Sequence, residues 1–322
     1  MITGEFDLIH RIRDLVNRRQ PAPTGTIGIG DDCAVYRIAE GRYGLFSTDM
    51  SIEGTHFDLS YCSLRDAGYR SMASNISDIY AMNGRPLLAF VSAGIPGRIS
   101  EDDVIDLYDG MIDCAEKHGV FIAGGDTVLS DKLVLSISIY GETAAPVMRS
   151  GAAPGDYIYV TGSTGGSMLG LELLQSGAGD QVYAECCAKH LRPEPFEGVD
   201  KLTAEYSPTA MIDISDGLTA DLCRICEESG CGYELYARSI PVPGEVERFC
   251  AAHSRDALMY ALGSGEEYQL LFTSKLKIEN GNAFLIGKII PDGKFIIINN
   301  NRVPAENAGF DHFSSRLKKQ AD

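Results

Sequence analysis

The 322-residue chain has no apolar run approaching the ~18 residues a membrane helix needs; the longest, Pro86 to Ile95, reads as a buried strand. Met1 to Ile12 mixes charges and has no apolar h-region, so no signal peptide is read there. No Gly-x4-Gly-Lys-Ser/Thr loop occurs, which excludes a P-loop enzyme. No lysine precedes Lys117, so the acidic region before it holds only arginines as cations. Bases are scarce throughout. With 28 against 45 acids the net charge is -17, which argues against nucleic acid and anionic membranes as partners. A nucleotide remains open if cations screen the acids. The nine cysteines are odd in number and lack framework spacing, which fits reduced thiols and a cytoplasmic protein.

What is present reads as a globular chain of about two domains, with 44% hydrophobic and 23% charged residues. Helix and strand alternate. Apolar spacing predicts helices over 5–17, 64–82 (opened by Ser63) and 101–118 (capped by Ser100). Strands are expected over 33–38, 44–48, 87–95, 120–123 and 133–140. A turn-rich stretch near 142–155 divides the chain into residues 1–147 and 148–322. The second half restarts the pattern, with helices over 168–175, 182–190, 197–205 and 218–229. Its strands are expected over 157–161, 210–214, 268–273, 283–290 and 294–298. The fold class is therefore two mixed α/β domains.

The informative feature is a set of aspartates beside expected strand ends and Gly turns. They occur in Gly30-Asp31-Asp32, Ser47-Thr48-Asp49, Asn75-Ile76-Ser77-Asp78, Gly124-Gly125-Asp126-Thr127 and Asp213-Ile214-Ser215-Asp216-Gly217. Loops at strand ends are common ligand sites in α/β folds. Each aspartate alone has a plain reading as a turn or capping residue. If they converge they cannot stay alone: two unit charges 4 Å apart repel by about 4 kcal/mol at an effective dielectric near 20. Oxygen-only donors select Mg²⁺ or Ca²⁺ over zinc, and paired metals so held can clamp a phosphoryl group.

Arg149, at the expected boundary, is either a phosphate contact or a solvated loop charge. Gly162-Ser-Thr-Gly-Gly166 opens a helix as either a structural turn or an anion nest. Cys223 and Cys226 lie one helical turn apart and read as a buried thiol pair rather than a zinc site.

Taken in order, these segments resemble the thiamine-monophosphate kinases. The resemblance rests on Gly28-Ile-Gly-Asp-Asp-Cys-Ala34, Ser47-Thr-Asp49, Glu53-Gly-Thr-His-Phe57, Asn75-Ile-Ser-Asp78 and Gly124-Gly-Asp-Thr127. It continues through Arg149-Ser-Gly-Ala-x-Pro-Gly-Asp156, His190-Leu-Arg-Pro193, Asp213-Ile-Ser-Asp-Gly-Leu218, Glu266-Glu267-Tyr268 and Gly309-Phe310-Asp311-His312-Phe313. The looser elements are shared with a wider group that includes aminoimidazole ribonucleotide synthetase and selenophosphate synthetase. Glu267 and Gln269 stand where the family usually carries Asp and Glu.

The resemblance implies that ATP and thiamine phosphate give ADP and thiamine diphosphate. It also implies N-terminal domains pairing across a homodimer into a β-barrel, and a ferredoxin-like-type second domain. It would place Asp31, Ser47, Thr48, Asp49, Asp78, Asp126, Asp213 and Asp216 on several Mg²⁺ ions, with Asp49, Asp126 and Asp216 central to catalysis. Tyr108, Gly125, Asp126, Arg149 and Ser215 would contact ATP, and His56, Glu266 and Phe310 the thiamine phosphate. A sister ATP-using synthetase and a non-catalytic Mg–nucleotide-binding protein are the alternative readings.

Overall fold

The computed structural model describes residues 4–178, 181–305 and 309–310. Asp311, His312 and Phe313, which end the family resemblance, lie outside the described residues.

The first half runs α1 (Glu5–Arg19), β1 (Thr26–Ile27), β2 (Ala34–Ala39), β3 (Arg42–Ile52), α2 (Leu64–Ala81), β4 (Arg85–Pro96), α3 (Glu101–Lys117), β5 (Phe121–Ser130) and β6 (Val134–Thr143). Its strands form one sheet in the order β1-β2-β3-β6-β4-β5, antiparallel except for β4 and β5. Ser63 accepts a hydrogen bond from the Asp66 amide and starts α2. Ser100 and Asp103 form a capping box that starts α3. The two helices pack closely because Gly68 and Gly110 lie at their crossing. A Cβ at Gly68 would meet the Leu107 carbonyl oxygen at 2.0 Å, and one at Gly110 the Arg65 carbonyl oxygen at 1.9 Å.

The second half runs β7 (Tyr157–Val160), α4 (Gly166–Ser176), α5 (Ala184–Leu191), α6 (Val199–Tyr206), β8 (Ala210–Asp213), α7 (Leu218–Ser229), β9 (Gly232–Tyr236), α8 (Gly244–His253), α9 (Ala257–Gly263), β10 (Leu270–Ser274), β11 (Phe284–Ile290), β12 (Lys294–Ile298) and β13 (Asn301–Pro304). Its sheet has the order β13-β12-β9-β11-β7-β10-β8, with only β9 and β12 parallel. Among the described residues its seven strands exceed the βαββαβ set of a ferredoxin-like unit.

The two sheets share a core. Met72, Ile76 and Ile79 of α2 pack in one cluster with Leu45 and Leu135 of the first sheet and with Tyr159, Tyr206, Met211 and Phe272 of the second half. Tyr159, Tyr206 and Phe272 are in ring contact, with centroids 5.0–5.2 Å apart. α2 is therefore buried on most sides. Three of its polar residues, Arg70, Ser74 and Asp78, face the seam between the halves, and that is where the site forms.

Candidate active site

One cavity of about 950 Å³ opens along this seam. Four segments deliver aspartates to it. Helix α2 contributes Arg70, Ser74 and Asp78; a spacing of four residues keeps them on one stripe. β3 contributes Ser47 and Asp49, the turn before β2 contributes Asp31 and Asp32, and the end of β8 contributes Asp213, followed by Ser215 and Asp216. Carboxylate oxygens of Asp32, Asp78 and Asp213 lie within 4.8 Å of one another.

The cluster is held by short hydroxyl contacts. Ser47 Oγ donates to Asp78 Oδ2 at 2.5 Å, and Ser77 Oγ donates to Asp213 Oδ2 at 2.6 Å. The Asp49 amide donates to Asn75 Oδ1 at 3.2 Å. Burial, and then the neighbouring acids, push the carboxyls of Asp78 and Asp213 well above the usual range. Asp49 is raised by the same causes against a hydrogen bond from Ser74. Asp31 reaches about 7, through burial and the adjacent Asp32.

Two arginines pair with the aspartates themselves. Arg149 pairs with Asp32, and its amide donates to Asp31 Oδ2 at 3.0 Å. Arg224 pairs with Asp216 and, at 2.7 Å, with Asp221 Oδ1, while its guanidinium lies 4.1 Å from the ring centroid of Phe6 on α1. Asp32 Oδ2 is nevertheless buried without a hydrogen-bond partner among the described residues. A buried orphan carboxylate oxygen beside two further acids is the donor set a hard divalent cation fits.

The cavity wall also carries the three residues expected on the substrate. His56, Glu266 and Phe310 all line the cavity. His56 Nδ1 accepts from the Ile52 amide at 3.0 Å. Glu266 has the left-handed φ of 55°, and its amide donates to the Ser215 carbonyl at 2.8 Å, which ties this wall to the Asp213–Gly217 loop. The Phe310 amide donates to the Asp216 carbonyl at 3.1 Å. Burial would raise Glu266, but Arg70, His190 and His56 outweigh it and leave the carboxyl below its ordinary value.

Three expected ATP contacts are not brought to this cavity within one chain. Gly124-Gly125-Asp126-Thr127 is not a loop but the middle of β5, an edge strand, where Gly125 and Asp126 are exposed. Gly125 has φ +157°, and a Cβ there would meet the Val91 carbonyl oxygen at 1.8 Å, so the glycine serves strand packing. Tyr108, on α3, is half-buried against the first core and bonds through its hydroxyl to Thr127. Thr48, by contrast, does line the cavity, from the exposed side of β3, where it accepts from Ser138 Oγ at 3.1 Å. Asp49 and Asp78 are likewise not at strand ends: β3 runs on to Ile52, and Asp78 is inside α2.

Besides Arg70 in the cavity wall, sequence reasoning missed four residues. Asp32 belongs to the cluster as much as Asp31, and the Asp-Asp doublet was the available signal. Asp221 accepts the amides of Ser215, Asp216 and Gly217 at 3.1–3.2 Å and so shapes their loop. Arg224, one helical turn along α7, completes that arrangement. Glu267 answers the question of the Gly162–Gly166 turn. It is fully buried and accepts from the Gly165 and Ser167 amides at 2.7 and 3.1 Å and from Ser264 Oγ at 2.6 Å. The nest holds the protein's own carboxylate.

The AIR synthase related protein N-terminal domain matches residues 30–143 and the corresponding C-terminal domain residues 153–299, so the class is that of the AIR synthase related proteins. Thiamine-monophosphate kinase of Bacillus subtilis (strain 168) is 34% identical over 278 residues, 84% of this chain and 83% of its own length. That of Escherichia coli (strain K12) is 33% identical over 332 residues, covering 98% of this chain and 100% of its own. The solved structure of AaThiL complexed with AMPPCP and TMP superposes with a TM-score of 0.85 at 31% identity, covering 96% of this chain and 97% of that one. Within the class, the chain belongs to the thiamine-monophosphate kinase family.

Proposed function

We propose that the protein transfers the terminal phosphoryl group of ATP to thiamine phosphate, giving thiamine diphosphate and ADP. The observation that carries the reading is the union, in one cavity, of the acid cluster with His56, Glu266 and Phe310. About 950 Å³ is at the upper end of small-molecule sites, as two substrates require.

The acceptor is a phosphate, already anionic at neutral pH, so the chain needs no general base; the task is to hold two anions in line. Asp32, Asp78 and Asp213 would hold Mg²⁺, joined by Asp31, Ser47, Thr48, Asp49, Asp126 and Asp216. When bound, such ions neutralise phosphoryl oxygens and clamp the group in transfer. Asp49, Asp126 and Asp216 are the acids we assign to catalysis. Arg149 and Ser215 orient the nucleotide. Glu266, as an anion, and Phe310, through its ring face, orient the thiazolium cation against the reacting phosphate, with His56 beside them.

We further propose a homodimer formed through the open face of the first sheet, in the barrel-like pairing of N-terminal domains. Support comes from Tyr36, Phe46, Met50 and Phe90, which are apolar, exposed and opposite α2 and α3. Tyr108, Gly125 and Asp126 would then reach the nucleotide in the second copy's cavity. Residues 1–147 are assigned to nucleotide, Mg²⁺ and dimer contacts, and residues 148–322 to the second domain. A cytoplasmic location is proposed from the nine free cysteines. Among the described residues no helix is long and apolar enough to cross a membrane.

Incubation of the protein with ATP, Mg²⁺ and thiamine phosphate tests the reaction. Thiamine diphosphate and ADP formed in equal amounts are expected; nucleotide binding without either product contradicts it.

A further inference from the structure

Arg70 is a cation of the cavity wall that pairs not with an expected metal ligand but with Glu266, expected on the substrate. It lies on α2, is 4% exposed, and reaches two residues of the other half of the chain. Its Nη2 is 2.5 Å from Glu266 Oε1, and its Nη1 is 3.0 Å from His190 Nε2. A guanidinium only donates, so Nε2 of His190 is the acceptor and the ring proton sits on Nδ1. Nδ1 lies 3.1 Å from Ser167 Oγ and 3.6 Å from Glu266 Oε2. Both oxygens of Glu266 are thus approached from the protein side, by Arg70 and by a His190 ring of fixed tautomer. His190 and Ser167 are themselves buried.

Glu266 needs such support. Its φ of 55° and that of Tyr268, 49°, are left-handed values unfavourable for residues with a Cβ. The segment holds that shape through the Ser215 and Ile214 carbonyls, which accept the amides of Glu266, Glu267 and Tyr268. Those bonds fix the backbone; the side chain is left to Arg70 and His190.

We infer that Arg70 is the positioning residue for Glu266, setting the orientation of the one acid that faces the substrate's cation from this wall. The inference rests on the proposed reaction. A planar fork can hold a carboxylate and an imidazole at once; a lysine ammonium is a point charge on a flexible stem and holds that two-point geometry poorly. Arg70 therefore governs thiamine phosphate recognition and leaves nucleotide recognition alone.

Steady-state kinetics of Arg70→Gln and Arg70→Lys, with both substrates varied, test it. In Arg70→Gln the KM for thiamine phosphate rises about tenfold or more, the loss expected for a charge-assisted contact, while the KM for ATP stays within about twofold. Arg70→Lys raises the same KM several-fold at an unchanged melting temperature, and it decides the matter if the glutamine variant does not fold. In the Glu266→Gln background, Arg70→Gln adds no further rise. An unchanged KM for thiamine phosphate in a folded Arg70→Lys, equal rises for both substrates, or full additivity with Glu266→Gln overturns the inference. A wild-type protein that forms no thiamine diphosphate overturns the proposed reaction instead.

Discussion

Asp78, in the last turns of α2, and Asp213, at the end of β8, belong to different halves of the chain, yet their carboxylate oxygens lie within 4.8 Å of each other. Ser47 and Ser77 aim them there, and among the described residues no lysine lines the cavity. The pairing is unfavourable for the empty protein and useful only when charge is shared with cations.

Replacing Asp78 or Asp213 with Asn therefore separates stability from function. Phosphoryl transfer falls by at least about a hundredfold, on the scale of losing one preorganised electrostatic group. The Mg²⁺-free protein melts at the same temperature as wild type or higher, because a repelling buried charge is gone. Calorimetry in chelator beside a turnover assay reads both.

The acid cluster also sets a pH dependence. Asp31, Asp49, Asp78 and Asp213 all have folded-state values above those of the unfolded chain, with Asp31 at about 7. The folded state then binds more protons between about pH 4 and 7, and stability is lost as pH rises through that window. In chelator, the protein melts higher at pH 5 than at pH 8, and Mg²⁺ narrows the gap by raising the pH 8 value. A flat or inverted profile in chelator contradicts the buried cluster.

Asp49→Asn and Asp126→Asn each fold and lose most transfer, for different reasons. Asp126 does not line its own chain's cavity, so the role proposed for it requires the proposed second copy. Mixing unfolded and refolded Asp126→Asn with Asp78→Asn restores about a quarter of wild-type activity, since half the dimers are mixed and each has one intact site. No restoration in a proven mixed dimer removes Asp126 from the partner's site.

Glu267→Ala destabilises by several kcal/mol, because it strands the Gly165 and Ser167 amides and leaves Lys189, whose Nζ lies 2.5 Å from Oε2, without its partner. Chemical denaturation measures it. The double change Cys223→Ala and Cys226→Ala leaves turnover near wild type and removes no bound zinc, as metal analysis checks.

The elements legible in the sequence were those with a strong local signal. Helix α7 and strand β12 have the expected bounds because Gly217 and Gly230 bracket the one and turn residues bracket the other. β9, α8 and α9 were not legible: they are short, and their apolar residues pack against elements distant in sequence. The two glycines of Gly124–Thr127 mimic a turn in the sequence, whereas pairing with β4 makes them strand. The acids were legible as a set, but their neighbours were not. Arg70, Asp221, Arg224 and Glu267 act through contacts that only the folded seam creates.

The claim that the cluster is a cation site for bound nucleotide is tested most directly by counting ions. Mn²⁺ is titrated into the wild-type protein with a non-hydrolysable ATP analogue and followed by electron paramagnetic resonance. Tight Mn²⁺ binding is expected in the wild type and loss of at least one ion in Asp78→Asn and in Asp213→Asn. Equal numbers of bound ions in all three proteins would contradict the account.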